Sequence, residues 1–248
     1  MTAPIVGSEQ PRTRIAVLLA QYPDHELELR KAAVSRAAPP STEIEFRQIE
    51  GNVYRKGLTN LHRALVAPLV ARAAAEAERD GCNAVVPYGT LDLGVEEARH
   101  VVDIPILGPG RTGTHVAATV SDRFAVLCYD QPHLVMFRRL FREWDLDRRL
   151  TSIRQVGVLV TEMAADPDHL RDRFLAEARA GVDSDGAELI LPLGMTMVPV
   201  HLSAADLTAE LGIPVLDPLA LTLRVAEGLA SSGYVNSRVA YPAADLPS

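Results

Sequence analysis

The chain repeats itself. "RIAVLLA" (14–20) returns as "RFAVLCY" (123–129), with Arg14 opposite Arg123. "GCNAVVPYGT" (81–90) returns as "GAELILPLGM" (186–195), with Pro87 opposite Pro192 and Gly89 opposite Gly194. "DIPILGP" (103–109) returns as "GIPVLDP" (212–218), with Pro105 opposite Pro214. These landmarks lie 109, 105 and 109 residues apart, so one register covers nearly the whole chain. A period of that length does not stack into a solenoid; it makes two similar lobes.

Within each lobe, short β-branched runs alternate with helical stretches. In the first, 14–20 reads as a strand, Asp24 to Ala37 as a helix and "TEIEFRQI" (42–49) as an alternating strand. A helix from Thr59 to Asp80 follows, with Leu61, Leu65, Leu69 and Val70 as its apolar positions, before the buried strands "CNAVVPY" and "IPILG". Such alternation gives an α/β fold of parallel sheets flanked by helices, with right-handed crossovers. Ligands in such sheets bind beyond the carboxyl ends of the strands. Here those ends are "PYGTLD" (87–92) and "PLGMT" (192–196), which the repeat turns toward one interlobe cleft. The expected organisation is a disordered tail (1–12), an N-terminal lobe (13–118), a C-terminal lobe (119–216), and a closing helix capped by Asp217 with a return segment (217–240).

A formal charge of −7 argues against nucleic-acid partners, which need a basic face. In the arginine-dense stretch 137–150, Leu134, Phe137, Leu140, Phe141 and Trp144 recur at helical spacing, so the arginines are its solvated face. Cys82 and Cys128 have no metal-binding spacing and lie in or beside apolar runs, as buried free thiols do. The N-terminus lacks a signal-peptide pattern and no apolar run is long enough to span a membrane, so a cytoplasmic protein without membrane partners is expected. The histidines form no zinc pair, and Lys56 is the sole Schiff-base candidate, so neither a metal nor another cofactor is expected. "GPGRTG" (108–113) satisfies Gly-x-Gly-x-x-Gly but follows a late strand of its lobe, and its repeat mate "LDPLAL" has no glycine. A dinucleotide site is therefore not expected; an anion held by helix N-terminal amides and Arg111 fits better.

On "GCNAVVPYGTLDLGVEEAR" (81–99), "IPILGPGRTGTHVA" (104–117) and "GAELILPLGMTMVP" (186–199) followed by "GIPVLDPLALTLRVAEGL", the chain resembles the aspartate/glutamate racemase superfamily, particularly its hydantoin racemase branch. The family's Leu-Gly-Cys-Thr-x-x-Pro motif corresponds to Leu193, Gly194, Met195, Thr196, Met197, Val198 and Pro199. The resemblance implies two lobes, a homo-oligomer, and a thiol per lobe working on opposite faces of an acidic carbon. Met195 stands at the second thiol position, and the first falls at Tyr88 or Gly89 according to the alignment, so neither is a cysteine. Gly89-Thr90 is similar to the arylmalonate decarboxylase branch, which implies hydroxyls and amides holding a carboxylate and stabilising an enediolate.

The candidates to carry chemistry are Tyr88, His201 and Tyr129 as proton-handling groups. Gly89, Thr90, Met195, Thr196, Gln21 and Arg111 are the candidates to contact a small carboxylate-bearing substrate. The loops after the two first strands, with Gln21, Tyr22, Asp24 and with Tyr129, Asp130, His133, are expected to face the cleft; Asp92 is either a base or a helix cap before "LGVEEARH". Three functions fit: a cofactor-independent lyase or isomerase working through an enolate-like state, a hydantoin-racemase-like isomerase with unusual bases, or a non-catalytic small-molecule-binding protein. A pocket lined with ionisable groups favours the enzymes.

Overall fold

The structure, a computed structural model, describes residues 12–53 and 59–246; all but the last residue of the expected tail, and Lys56, lie outside these. The first half runs β1 (Thr13–Gln21), α1 (Asp24–Ala37), β2 (Thr42–Val53), α2 (Asn60–Arg79), β3 (Ala84–Pro87), a single turn α3 (Val95–Ala98) and α4 (Pro109–Val120). The second runs β4 (Phe124–Cys128), α5 (Gln131–Glu143), β5 (Leu150–Gln155), α6 (Pro167–Asp183), β6 (Leu189–Pro192), α7 (Ala204–Leu211) and α8 (Pro218–Ser231). Two open parallel sheets result, ordered β2-β1-β3 and β5-β4-β6.

The sequence repeat is the sheet register. Ile15 lies opposite Ala84 and Leu18 opposite Pro87; in the second half Phe124 lies opposite Leu189 and Leu127 opposite Pro192. Ile106 bridges to Val85 as Val215 bridges to Ile190. The match continues past the strands. The Tyr88 N–H donates to the Leu18 carbonyl, and the Leu193 N–H to that of Leu127, each at 2.8 Å. The N–H groups of Asp92 and Met197 likewise reach the carbonyls of Gly89 and Gly194. Tyr88 thus corresponds to Leu193, Thr90 to Met195 and Asp92 to Met197. The counterpart of Thr90 is Met195, one residue short of the threonine that the strand ends suggested.

Helices cover both faces of each sheet. On α5, Leu134, Phe137, Leu140 and Phe141 are buried while Arg138, Arg139 and Arg142 are exposed. On α2 the apolar face differs from expectation: Leu61 and Leu65 are 66% and 60% exposed. The helix buries Val66, Ala67, Val70, Ala71, Ala74 and Ala77 instead. Small alanines let α2 sit close to the sheet, and they outnumber the leucines whose spacing looked like a core stripe.

The helices that end each half cross to the other. Ala117 of α4 packs with Phe124, Leu189 and Leu191 of the second sheet. Leu219, Leu223 and Ala226 of α8 pack with Ile15, Val17, Ala84 and Val86 of the first. Asp217 caps α8, accepting from the N–H groups of Leu219 and Ala220 at 2.9 and 3.1 Å. The two glycines that open α4 answer to close packing. A Cβ on Gly110 would stand 2.0 Å from the Thr90 carbonyl oxygen, and one on Gly108 2.1 Å from the Asp92 carboxyl carbon. Among the described residues, no helix is long and apolar enough to cross a membrane.

Candidate functional site

A cavity of about 110 Å³ lies where the two halves meet, at the carboxyl ends of β1, β3, β4 and β6. Its floor and walls include Leu18 and Ala20 of β1, Pro87 to Leu91 around the end of β3, and Tyr129 and His133 after β4. Met195 and Thr196 follow β6, Tyr22 precedes α1 and Arg30 lies in its middle, and His62, Val66 and Val70 come from α2.

Of the candidates, Tyr88, Gly89, Thr90, Tyr129, Met195 and Thr196 come together here. Three do not. Gln21 ends β1 exposed: alternation points Leu18 and Ala20 at the cavity and sends Gln21 the other way. Arg111 pairs with Glu96 at 2.7 Å, outside the cavity wall, and its N–H is already held by Asp92. His201 does not line the cavity either; its Nε2 is buried without a partner, and burial lowers its pKa, with nearby Glu26 opposing.

Asp92 is a cap, though of α4 and not of the segment that follows it. Its two carboxyl oxygens accept from the N–H groups of Gly110 and Arg111, both at 2.7 Å. Burial lifts its pKa to about 7, against the opposing pull of those N–H groups. The helix end offered above for an anion is thereby filled by the chain's own carboxylate.

Met195 does two things. It lines the cavity beside Gly89 and Thr90, and it joins the apolar cluster built on Ile15, Val17 and Leu19 of the opposite half. Leu91 reciprocates by joining the cluster of Phe124, Val126 and Cys128. Thr196 is fixed from two sides: its N–H donates to the Tyr129 hydroxyl at 2.9 Å, and its Oγ1 accepts from Arg30 Nη2 at 3.0 Å. His133 Nδ1 lies 2.6 Å from Asp130 Oδ1, and its ring stands edge-on to Tyr129 at 5.0 Å.

The Tyr88 hydroxyl is out of solvent and has no hydrogen-bond partner. Burial drives its pKa well above 10, although Arg30 pulls the other way. Tyr88 therefore stays protonated at neutral pH and can give a proton but not take one. Neither cysteine lines the cavity. Burial raises Cys82 to about 11 and Cys128 to about 12, so both remain thiols.

Sequence reasoning missed Arg30, which is 1% exposed. A signal was present: in "HELELRKAAV" it stands between Leu27 and Val34 at spacings of three and four, on the helix's apolar face. A charge there must be paired or functional. His62, at the third position of α2, carried no comparable signal. Among the described residues no group of three or more His, Cys, Asp or Glu could hold a metal ion.

The Asp/Glu/Hydantoin racemase family model matches residues 28–226. A hydantoin racemase from Rhizobium meliloti is 28% identical over 184 residues, covering 72% of this chain and 74% of that one. In structure, an allantoin racemase from Klebsiella pneumoniae superimposes with a TM-score of 0.84 at 22% identity, covering 95% of this chain and 96% of that one. An arylmalonate decarboxylase does so with a TM-score of 0.59 at 18% identity, over 89% and 93%. With a family match that takes in most of the chain and every strand but β1, the chain belongs to the Asp/Glu/hydantoin racemase family.

Proposed function

We propose that this protein is a cofactor-independent lyase or isomerase that acts at the carbon next to the carboxylate of a small molecule, through an enolate-like state. The observation that carries this reading is the Tyr88 hydroxyl, buried at the wall of the interlobe cavity and without a partner. A buried polar group left unpaired costs about 1–3 kcal/mol, a cost a bound substrate would relieve. In this reading the carboxylate leaves as CO2, its bonding pair becoming the enolate of the neighbouring carbonyl, whose oxygen Thr90 and Thr196 steady; Tyr88 then gives its hydroxyl proton to the carbon, and the phenolate is reprotonated from water. Met195, which lines the same cavity, has no proton to give, so Tyr88 is the proton donor in this reading.

Family membership and the hydantoin racemase relative support a second reading, a racemase-like isomerase using phenols or histidines in place of thiols. Reaction in heavy water separates the two. Carbon acids flanked by a carboxylate and a second carbonyl, together with 5-substituted hydantoins, are incubated with the protein and followed by NMR and chiral chromatography. Single-handed deuterated product from the first class is expected. Deuterium entering both mirror images of a hydantoin would replace our reading with the second. Saturable binding with no exchange and no turnover would make the protein a binding module.

A further inference from the structure

Arg30 has spent less of its hydrogen-bonding capacity than its burial demands. Nη1 donates to the Glu26 carbonyl oxygen at 2.7 Å and to the Glu26 carboxylate; Nη2 donates to Thr196 Oγ1 at 3.0 Å. The guanidinium carbon lies over the Tyr22 ring, 4.0 Å from its centre, and the guanidinium also donates a hydrogen bond to the Tyr22 hydroxyl. Nε is buried and has no partner. A guanidinium carries five N–H groups, and Nε–H shares one edge with an Nη2–H; that edge is the fork that matches the two oxygens of a carboxylate.

The cavity that Arg30 lines holds no other permanent charge; His62 and His133 are the other basic side chains in its wall, and Glu26, outside it, pairs with Nη1. Among the described residues lining it, no Asp, Glu or Lys occurs, and Arg30 is the permanent cation. Leu18, Ile49, Val66, Val70, Leu91 and Leu93 make much of the remaining wall. At about 110 Å³ the space is smaller than the roughly 150 Å³ of an engineered apolar cavity that takes benzene. A second carboxylate would meet hydrocarbon, hydroxyls and imidazoles with no second permanent cation to balance it, which is costly.

We propose that Arg30 is the specificity-determining residue of this site, its unpartnered Nε–H and the adjoining Nη2 gripping the single carboxylate of a compact, branched aliphatic acid. The proposal rests on the cavity being the substrate site and narrows what that site accepts. A dicarboxylate is disfavoured by the same geometry. Thr196 is the second half of the grip: having accepted from Arg30, its hydroxyl still has a hydrogen to donate to the same carboxylate.

Calorimetry on the full chain with isobutyrate and isovalerate, their neutral amides, and succinate tests this. The branched carboxylates are expected to bind about 10- to 100-fold more tightly than the amides or succinate, the worth of a charge-assisted fork. Arg30→Lys keeps the charge, loses the fork and should weaken isovalerate about 10-fold or more. If that variant does not fold, the arginine Nε–H signals of the unmutated protein serve instead, and isovalerate should shift one of them. Equal affinity for acid and amide, no binding of either acid, an unchanged folded Arg30→Lys, or no moving Nε–H signal overturns the proposal. Isovalerate gripped at Arg30 by a protein that turns nothing over would leave this inference standing and remove the catalytic one. Single-handed turnover combined with indifference to charge would do the reverse.

Discussion

After β3 the chain runs Tyr88, Gly89, Thr90, Leu91, Asp92; after β6 it runs Leu193, Gly194, Met195, Thr196, Met197. Two backbone hydrogen bonds hold both loops alike, those of Tyr88 and Leu193 to the first strand of each half and those of Asp92 and Met197 to the loop glycines. Yet where the first has a phenol, a hydroxyl and a carboxylate, the second has leucine and two methionines. Each loop is anchored differently as well. Asp92 ties the first to the N-terminus of α4. The second is held by the hydrogen bonds of Thr196 to Tyr129 and Arg30 and by packing, with Met197 and the Tyr129 ring so close that a Cβ on Gly194 would stand 2.6 Å from one and 2.7 Å from the other. A duplicated backbone can thus keep its path while one copy is made protic and the other oily. The path depends on main-chain bonds and a glycine, and the side chains between them are free to diverge.

That asymmetry can be broken in stages. The largest effect is expected for Tyr88→Phe, which removes the protic group from the first loop and should lower turnover by about 10²- to 10⁴-fold with the fold intact. Leu193→Met, at the matching position, should leave turnover near normal. Equal losses from both would mean that the loops are not chemically distinct.

Next comes acidity. Asp92 is lifted to about 7 when folded, from an ordinary carboxylate value near 4 when unfolded, so the native chain holds this proton more tightly. Its contribution to stability is complete below about pH 4 and is lost as pH rises through about 7, a change of up to roughly 4 kcal/mol. Asp92→Asn cannot ionise and should lack that slope; Met197→Leu in the other loop should keep it. Urea midpoints from acid to neutral pH that fall in parallel for wild type and Asp92→Asn would refute this assignment.

Close approach gives a smaller effect. Gly110→Ala drives a methyl into the Thr90 carbonyl, a backbone atom that cannot step aside, and should destabilise by about 2–3 kcal/mol. Gly194→Ala meets the mobile end of Met197 as well as a ring edge and should cost less, about 1–2 kcal/mol. Thermal melts that reverse this order would show the polar latch to be the looser of the two anchors. Smallest of all, Cys82→Ala and Cys128→Ala should leave turnover unchanged and shift stability by about 1 kcal/mol. A folded Cys128→Ala that loses turnover would put the chemistry elsewhere.

The repeat was legible because sheet register needs the same residues at the same spacing, and Pro87, Pro192, Pro105 and Pro214 punctuate it. The strand-end loops followed from that register, and with them six of the nine candidate contacts. Gln21 was misjudged by the two-residue alternation of a strand, which a one-position error reverses. Arg111 was misjudged because a helix N-terminus attracts any anion, and Asp92, from the loop after β3, already occupies it. Arg30 reaches the cavity from mid-helix across a contact of 166 residues to Thr196, and spacing along one helix carries no record of what lies opposite. The apolar face of α2 was misread because alanines bury without looking hydrophobic enough to mark a stripe.

The crossing of α4 and α8 bears on how the protein is made. When a ribosome has released the chain through Leu216, all six strands exist, but Ile15, Val17, Ala84 and Val86 still lack Leu219, Leu223 and Ala226. The first sheet, synthesised earliest, is therefore finished last. The part of its apolar face that α1 leaves uncovered stays open through the synthesis of the whole second half, so the nascent chain carries an aggregation-prone patch until its final helix emerges.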